Sequence, residues 1–417
     1  MPAEEIIVGV DIGSTKVTTV IAEVSEDGEA AVLGVGHRPS PGMKRGTVVN
    51  IEKTVDAVRE SVAEAEEQAS VKVHSVYVGI AGDHIRSINS KGVIAVPRTN
   101  TQDRTGVITR ADVDRVIEAA KAFTLPMERE ILHVLPQRYS VDEQNDIDDP
   151  VGMSGVRLEA DVHIITSAVT SAQNIIRCVK QADIQVEDMV LQPLASSYSV
   201  LTPDEREMGV CLIDIGGGTT DLAVFSNDSI HHTSVIGMGG ENVTRDLGIG
   251  LRTPFDQAER LKREHGNCFA PLVNLDERIE IPGIGGRESQ KVTQGDITEI
   301  IQMRMEEIFT DAISQLRKAG VWNMLYSGGV VLTGGSSLIH GARELAEDMF
   351  GLPVKIGFPQ GLDGLMQTAR SPVYSTAVGL VLYGIKHGEG GAGYRNGDPS
   401  FLGKVFGRMR EWIVEFF

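Results

Sequence analysis

Two glycine-rich turns at distant positions constrain the fold of this chain more than any other feature. The segment VDIGSTKVTTV at residues 10–20 reads as strand, glycine turn and strand, and IDIGGGTTDLAVF at residues 213–225 repeats this order. Each hairpin is followed by another β-like run, AVLGVGHR in the first half and SIHHTSVI in the second. Two halves that open on the same β-hairpin predict a duplicated α/β architecture.

The segment at residues 84–160 differs in pattern from the two halves and predicts a small inserted domain. It combines short strands such as GVIAVP and ILHVLPQRYSV with one helix, ADVDRVIEAAKAF, and an acidic loop. The buried-strand pattern returns at VHIITSAVT, where we expect the first half to resume. Farther on, VYSTAVGLVLY is typical of a buried helix, and the glycine-rich segment at residues 387–400 predicts a linker.

The composition is that of an ordinary globular protein with at least two domains. The chain has 417 residues and a net charge of −19, which argues against nucleic acid as a partner. Its three cysteines show no CxxC spacing, so we expect neither a disulfide framework nor a zinc site. We expect no signal peptide and no membrane-spanning segment either, because MPAEEIIVGVDIG starts acidic and no apolar run is long enough. These features predict a protein of the cytoplasm or of the cytoplasmic face of a membrane.

The two glycine turns are predicted to bind phosphate through their backbone amides. DIGSTK lacks the GxxxxGK spacing of a P-loop and leads into a strand, so a nest of turn amides would hold the anion. Gly13 allows close approach of the backbone, and Lys16 can reach a phosphate as a point charge. The other predicted donors are Ser14 and Thr15 in the first turn and Gly216, Gly217, Gly218, Thr219 and Thr220 in the second.

Asp11 and Asp214 end the strands that lead into these turns, at corresponding places. Two carboxylates that face one polyphosphate suit Mg²⁺, which keeps several waters and takes few protein ligands. A single turn of this kind is more often structural than functional. The pair of turns, together with a third Gly-Gly-Ser turn in TGGSSL before a helix, favours phosphate binding over a purely structural role.

The last seventeen residues, FLGKVFGRMREWIVEFF, predict an amphipathic helix that lies in a membrane surface. Its polar face excludes a spanning orientation, so we expect the apolar face at the acyl boundary and the basic residues near anionic lipid. The alternative is a terminal helix that docks on its own domain or on a second copy, but the glycine linker argues against docking. The predicted membrane contacts are Phe401, Leu402, Val405, Phe406, Met409, Trp412, Ile413, Phe416 and Phe417.

Several motifs resemble those of a known superfamily. DIGSTKV, DIGGGTTD and TGGSSL are similar, in order and spacing, to the two phosphate motifs and the adenosine motif of the actin, Hsp70 and sugar-kinase superfamily. LQPLASSYSVL and SPVYSTAVGLVLYG resemble its two interdomain connecting helices. Within that superfamily the whole chain is similar to the FtsA family of bacterial cell-division proteins, for example at GDHIRSINSKGVIAV. The resemblance implies a duplicated, actin-like (ribonuclease-H-like) α/β fold with two lobes around a nucleotide cleft, an FtsA-type inserted subdomain and a C-terminal amphipathic helix.

The resemblance also implies a division into subdomains that the FtsA family names 1A, 1C, 2A and 2B. It places 1A at residues 1–83 and 161–203, the inserted 1C at 84–160, 2A at 204–227 and 306–369, and 2B at 228–305. A return helix to 1A, the linker and the membrane-targeting helix would follow at residues 370–386, 387–400 and 401–417.

The adenosine side of the predicted cleft follows from the same resemblance. The segment GGENVTRDLGIGLRTPFDQAERLKREHG is similar to the adenosine-side helices of the family. Within it, Glu259 and Lys262 would contact the ribose or the base, and the alternative for them is an ordinary i,i+3 ion pair. The other implied contacts are Gly240 in that segment and Gly334, Gly335 and Ser336 behind the adenine.

Gln192 stands in the first connecting helix, where members of the superfamily place a residue that orients the attacking water. The alternative role is that of a helix-start residue beside Pro193. The resemblance leaves the rate of hydrolysis open, because weak or absent ATPase activity is compatible with ATP binding.

The resemblance implies an ATP-binding protein that polymerises on the cytoplasmic face of the inner membrane, at the division septum. Such a protein would tether FtsZ to anionic lipids through contacts around residues 228–305, and so help to assemble the Z-ring. Its inserted subdomain would recruit later divisome proteins. The alternatives are a pilus-assembly relative of FtsA and a sugar-kinase-like phosphotransferase.

Overall fold

A computed structural model describes residues 5–25, 29–98, 105–364 and 369–388. The predicted membrane helix at residues 401–417 and nearly all of the predicted linker lie outside these ranges, so the structure does not bear on them. In the part of the chain that is described, no helix combines the length and the apolar character needed to cross a membrane.

Strands and helices follow one another along the chain in three groups. The first lobe begins with β1 Glu5–Ile12, β2 Lys16–Val24, β3 Ala30–Pro39, β4 Met43–Lys44, β5 Thr47–Val48, α1 Ile51–Ala69 and β6 Ser75–Ile80. The insertion and the rest of the first lobe comprise β7 Arg86–Ala95, β8 Gly106–Val107, α2 Arg110–Ala120, β9 Arg129–Val141, β10 Gln144–Ile147, β11 Ser154–Gly155, β12 Arg157–Ala168, α3 Val169–Gln181, β13 Gln185–Leu191 and α4 Gln192–Val200. The remainder comprises α5 Pro203–Met208, β14 Val210–Ile215, β15 Thr220–Ser226, β16 Ser229–Ile236, α6 Gly240–Gly250, α7 Phe255–His265, β17 Arg278–Ile281, β18 Gln290–Thr293, α8 Gln294–Lys318, β19 Val330–Thr333, α9 Ala342–Phe350, β20 Val354–Ile356 and α10 Ser375–His387.

The two lobes are built on five-stranded sheets of the same topology. The first sheet has the order β13-β6-β1-β2-β3, and the second, read from the equivalent edge, has the order β20-β19-β14-β15-β16. In each sheet an antiparallel meander of three strands is extended by two parallel strands. The meander β1-β2-β3 therefore corresponds to β14-β15-β16, and the duplicated α/β fold predicted from the two glycine hairpins is confirmed.

Helices pack on the sheets and explain why the central strands are apolar along their whole length. β14 is buried at every position, as expected for a strand that is covered on both faces. α1 packs against β2 and β3 of the first sheet. It begins after Asn50, whose side-chain oxygen accepts a hydrogen bond from the Lys53 amide at 3.0 Å. The apolar stripe predicted for this helix is buried: Val55, Val58, Val62 and Ala65.

The helices α4 and α10 cross between the lobes. α4 follows β13 of the first sheet but packs against β14 and β15 of the second. α10 follows β20 of the second sheet but packs against β1, β2 and β6 of the first, and it also packs against α4. Each lobe therefore contributes one helix that contacts the other lobe. This exchange brings the first turns of both helices to the base of the space between the sheets, where Gln192 and Thr376 line a cleft.

The insertion forms a four-stranded sheet with the order β10-β9-β12-β7, on which α2 packs. All neighbouring strands of this sheet are antiparallel. Its central strand, β12, runs without interruption from Arg157 to Ala168 and pairs with β7 as far as Thr166. The strand thus continues past position 160, where the sequence pattern suggested a return to the first lobe.

The insertion also contacts the edge strand β16 of the second lobe. Ser87 Oγ donates a hydrogen bond to the Thr233 carbonyl at 2.9 Å, and Gln137 Nε2 donates to the Ile230 carbonyl at 2.6 Å. The buried His163 ring lies 3.1 Å from the Thr233 hydroxyl through Nε2. The chain connects the insertion to the first lobe, while hydrogen bonds from its side chains attach it to the second lobe. These contacts cover the edge of the second sheet at β16, which would otherwise be open.

Candidate functional site

A cleft of about 1830 Å³ lies between the two lobes. Of the residues assigned above to phosphate, metal, adenosine or water, all but Thr220 line it, although they come from distant parts of the chain. The lining residues are Asp11, Gly13, Ser14, Thr15, Lys16, Gln192, Asp214, Gly216, Gly217, Gly218, Thr219, Gly240, Glu259, Lys262, Gly334, Gly335 and Ser336. The Thr220 hydroxyl instead donates to the Met238 carbonyl at 2.9 Å.

The two glycine turns have the same internal geometry. The Gly13 amide donates a hydrogen bond to the Lys16 carbonyl at 2.9 Å, and the Gly216 amide donates to the Thr219 carbonyl at 2.9 Å. A closing bond at the same place in each hairpin means that the two turns present their amides in equivalent ways. Both turns join the first two strands of a meander, β1 to β2 and β14 to β15.

The two turns also touch each other at the base of the cleft. A Cβ atom on Gly217 would overlap the Thr15 side chain, and one on Gly218 would lie 2.6 Å from Ser14 Oγ. Ser14 Oγ in addition accepts a hydrogen bond from the Gly46 amide at 2.9 Å. Glycine is therefore required in the second turn because the first turn occupies the space that a side chain would need.

The start of α6 supports the second turn from behind. The amides of Gly240 and Glu241 donate to the Gly216 and Gly217 carbonyls at 2.9 and 2.8 Å. Ser336 Oγ donates to the Gly216 carbonyl as well, at 3.1 Å. Gly240 and Ser336, which the resemblance assigned to the adenosine side, thus also hold the second turn in its conformation.

Asp11 is a buried carboxylate with a defined hydrogen-bond partner. Gln192 Nε2 donates to its Oδ1 atom at 2.7 Å. Burial raises the pKa of Asp11 to about 6; Lys16 opposes this shift and Asp214 adds to it. A carboxylate of this kind is stabilised in its charged form when a cation binds beside it.

Asp214 occupies the equivalent position in the second lobe and has different partners. Its Oδ2 atom accepts hydrogen bonds from Ser196 Oγ at 2.9 Å and from Thr376 Oγ1 at 3.4 Å. Burial raises the pKa of Asp214, while Ser196, Lys16 and Thr376 act in the opposite direction. The two hydroxyls come from the crossing helices α4 and α10, a relation that the local sequence pattern does not contain.

Asp221 is a third buried carboxylate in the cleft, and the sequence analysis did not single it out. It stands directly opposite Asp214 on β15, and its Oδ2 accepts a hydrogen bond from Thr219 Oγ1 at 2.9 Å. Its Oδ1 atom is buried and has no hydrogen-bond partner among the described residues. Burial raises the pKa of Asp221 to about 8, and Asp214 adds to the shift. The final letter of the DIGGGTTD motif was the available signal for this residue.

Lys16 is the cationic side chain that the first turn contributes. Its ammonium contacts the Val373 carbonyl and lies 5.6 Å from the centre of the Tyr374 ring. Burial lowers the pKa of Lys16, while Asp11 and Asp214 act to raise it. The residues before α10 therefore hold this side chain beside the two turns.

Glu259 and Lys262 lie on the side of the cleft formed by α7 and make the i,i+3 ion pair that was the simpler alternative for them, at 2.7 Å. The Lys262 ammonium also donates to the Gly240 carbonyl at 3.1 Å and to Thr244 Oγ1 at 2.9 Å. Burial lowers the pKa of Lys262, against the effect of Glu259. Both residues line the cleft, so the ion pair and a contact with a ligand are compatible.

The acidic base of the cleft fits a hydrated divalent cation better than a site built entirely from protein ligands. Among the described residues, no group of three or more His, Cys, Asp or Glu side chains is arranged to hold a metal ion. Gly334 has a φ of +83°, and a Cβ atom there would lie 2.3 Å from Asp214 Oδ1, so glycine is what lets the backbone approach this carboxylate. Mg²⁺ bound through water needs few direct protein ligands.

Comparison with known proteins identifies related domains. A family model described as cell division protein FtsA matches residues 211–379, and a model of the SHS2 domain inserted in FtsA matches residues 82–166. The structure is similar to the PilM–PilN type IV pilus biogenesis complex, with a TM-score of 0.64 and 16% identity over 91% of this chain and 98% of that chain. It is similar also to MreB5 of Spiroplasma citri bound to ADP, with a TM-score of 0.56 and 15% identity over 94% and 99% of the two chains. At these identities the likeness shows the fold, which is actin-like as predicted.

Relatives of known function are closer in sequence. The chain is 43% identical to cell division protein FtsA of Pseudomonas aeruginosa, over 98% of this chain and 97% of that protein. It is 38% identical to cell division protein FtsA of Escherichia coli, over 99% and 98% of the two chains. Because this identity extends over nearly the whole length of both proteins, the chain belongs to the FtsA family of bacterial cell-division proteins.

Proposed function

We propose that this chain binds ATP with Mg²⁺ in the cleft and acts as a membrane-bound, polymerising tether for FtsZ in cell division. The observation that carries the nucleotide part is the pair of glycine turns. Each turn is closed by a hydrogen bond at the same place, and each follows a carboxylate at an equivalent position. Two amide nests that meet at the base of one cleft suit a polyphosphate, which offers several anionic groups in a row. The MreB5 structure of similar fold is bound to ADP, in agreement with this proposal.

Each part of the cleft has a distinct role in this proposal. The amides of the two turns bind the phosphates, and Lys16 adds a positive charge beside them. Asp11 and Asp214 would hold a hydrated Mg²⁺ ion, and this ion would neutralise part of the phosphate charge. The adenosine lies toward the second lobe, against Gly240, Glu259, Lys262, Gly334, Gly335 and Ser336.

Gln192 orients a water molecule for slow hydrolysis. Its Nε2 atom donates to Asp11 at 2.7 Å, which fixes the amide plane. Gln192 lines the cleft, and in this proposal its Oε1 atom accepts a hydrogen bond from the water. A residue that only positions water contributes less than a general base, so we expect a weak ATPase.

The membrane part of the proposal rests on the C-terminal sequence and on family membership. One amphipathic helix of seventeen residues binds a bilayer weakly and reversibly. Filaments of this chain on the cytoplasmic face of the inner membrane would display many such helices, and their combined binding would be strong. FtsZ would bind the region around residues 228–305 at the septum, and the insertion would recruit later divisome proteins.

The tether is tested by co-sedimentation with vesicles that contain anionic lipid, using the full chain and a chain truncated after Ser400. The full chain should sediment with the vesicles and carry added FtsZ into the pellet. The truncated chain should stay in the supernatant and still bind ATP, which shows that its body is folded. Sedimentation of the truncated chain would refute the membrane role of the tail. Failure of FtsZ to follow the full chain would refute the tether.

A further inference from the structure

The helix α4 is bonded to both of the matched carboxylates. Gln192 Nε2 donates to Asp11 at 2.7 Å, and Ser196 Oγ donates to Asp214 at 2.9 Å. Residues four positions apart lie one above the other on the same face of a helix. Asp11 is the second-last residue of β1 in the first sheet, and Asp214 is the second-last residue of the equivalent strand β14 in the second sheet. One face of a single helix therefore sets where the two carboxylates lie relative to each other.

The Asp214 carboxylate is fixed by a small buried network of hydroxyls. Ser196 Oγ and Thr376 Oγ1 both contact Oδ2, and the two hydroxyls lie 3.0 Å apart. Ser196 is fully buried, and Asp214 and Thr376 are 9% and 7% exposed. Both hydroxyl bonds go to Oδ2, so neither hydroxyl occupies the Oδ1 atom of this cleft-lining carboxylate.

We propose that Ser196, assisted by Thr376, is a positioning residue that orients Asp214 Oδ1 toward the hydrated Mg²⁺ of a bound nucleotide. This inference rests on the proposed nucleotide-binding function. A carboxylate free to rotate would lose the fixed direction that water-mediated Mg²⁺ binding requires, because Mg²⁺ demands near-ideal octahedral geometry. Ser196 touches neither nucleotide nor metal in this proposal and acts only through Asp214.

The same helix supplies a matched control. Ser197 is buried like Ser196, but its hydroxyl donates to the Leu194 carbonyl of its own helix at 2.7 Å. Ser196→Ala and Ser197→Ala remove the same atom at adjacent buried positions. Only the first change releases Asp214, so a general loss of packing or of helix stability would affect both variants.

The test measures the Kd of ATP by calorimetry on the full chain, in excess Mg²⁺ and in EDTA. We expect Ser196→Ala to raise the Kd in Mg²⁺ about tenfold, as for the loss of one hydrogen bond to a charged group. In EDTA the same variant should bind ATP within about twofold of the wild type, and Ser197→Ala should bind normally in both conditions.

A second pair of variants keeps the inference testable if Ser196→Ala fails to fold. Thr376→Val removes the other hydroxyl at nearly constant volume and should weaken binding only in Mg²⁺, whereas Thr376→Ser retains the hydroxyl and should bind normally. Equal weakening in Mg²⁺ and in EDTA, or normal binding of Ser196→Ala in Mg²⁺, would overturn the positioning role while ATP binding stands. A wild-type chain that binds no ATP would instead refute the proposed function itself.

Discussion

The two glycine hairpins share a backbone but differ in the charges they carry. Each turn is closed by one amide-to-carbonyl bond of 2.9 Å, and each follows a strand whose second-last residue is an aspartate. At the fourth position of the turn the first hairpin has Lys16 and the second has Thr219. The residue paired with the aspartate on the second strand of the hairpin is Thr18 on β2 in the first hairpin and Asp221 on β15 in the second.

This difference shows how a duplicated fold can divide one task between its halves. The first turn contributes a half-buried ammonium, while the second hairpin contributes two facing carboxylates. Asp11 and Asp214 outnumber the one ammonium of Lys16, so the base of the cleft is acidic even while Asp221 keeps its proton, and this charge by itself would repel a polyphosphate. A divalent cation that binds together with the nucleotide removes this conflict, so the asymmetry supports binding of ATP as its Mg²⁺ complex.

The largest effect is expected where the two turns meet. Gly217→Glu should raise the Kd of ATP more than about a hundredfold, because the new side chain must occupy the place of Thr15 and would add a negative charge beside the phosphates. Calorimetry on the full chain measures this change. Gly216→Ala, in the same turn, is a matched control, since its Cβ atom would meet only the Thr219 carbonyl at 3.2 Å. Tight ATP binding by Gly217→Glu would contradict the assignment of the turns to phosphate.

The fourth position of each turn provides a direct comparison of the two hairpins. Lys16→Met should raise the Kd of ATP about tenfold, because it removes a charge-assisted contact with phosphate. Thr219→Val at the equivalent position should raise it only about threefold or less, since a neutral hydroxyl bond contributes less. Titration with ATP in Mg²⁺ measures both. Equal losses would show that the two turns contribute alike and that the difference in charge has no consequence for binding.

The parts of this site that the sequence predicts are those formed by neighbouring residues. The turn conformation and the placement of Asp11 and Asp214 depend on a few consecutive residues, so the repeated motif was sufficient to find them. The partners of Asp214 could not be predicted in this way, because Ser196 and Thr376 reach it only after α4 and α10 have crossed between the lobes. Tertiary packing, and not local pattern, selects these contacts.

The insertion shows the same limit at a larger scale. Its strands and its helix α2 follow from local periodicity, and the structure contains them. Its attachment to the second lobe, through contacts such as Ser87 to the Thr233 carbonyl, joins residues far apart in sequence. Local pattern also does not show that β12 continues past residue 160. A buried strand looks the same in sequence whether it belongs to the insertion or to the lobe.

A third prediction concerns the second strand of each hairpin, β2 and β15, and is a pH dependence of stability in the absence of nucleotide. Burial raises the pKa of Asp221 to about 8, whereas an aspartate in the unfolded chain has a pKa of about 3.9. Between these values the folded state keeps a proton that the unfolded state has lost, so stability falls as the pH rises, by at most about 1.4 kcal/mol per pH unit. Asp221→Asn should remove this contribution, and its thermal unfolding midpoint should decline less than that of the wild type between pH 5 and 8.

Thr18→Val at the equivalent position of the first hairpin is the control and should leave the pH dependence of the midpoint unchanged, because Thr18 does not titrate. If the unfolding midpoints of Asp221→Asn and the wild type change with pH in parallel, Asp221 is ionised throughout this range. The folded protein would then stabilise this negative charge without a bound cation.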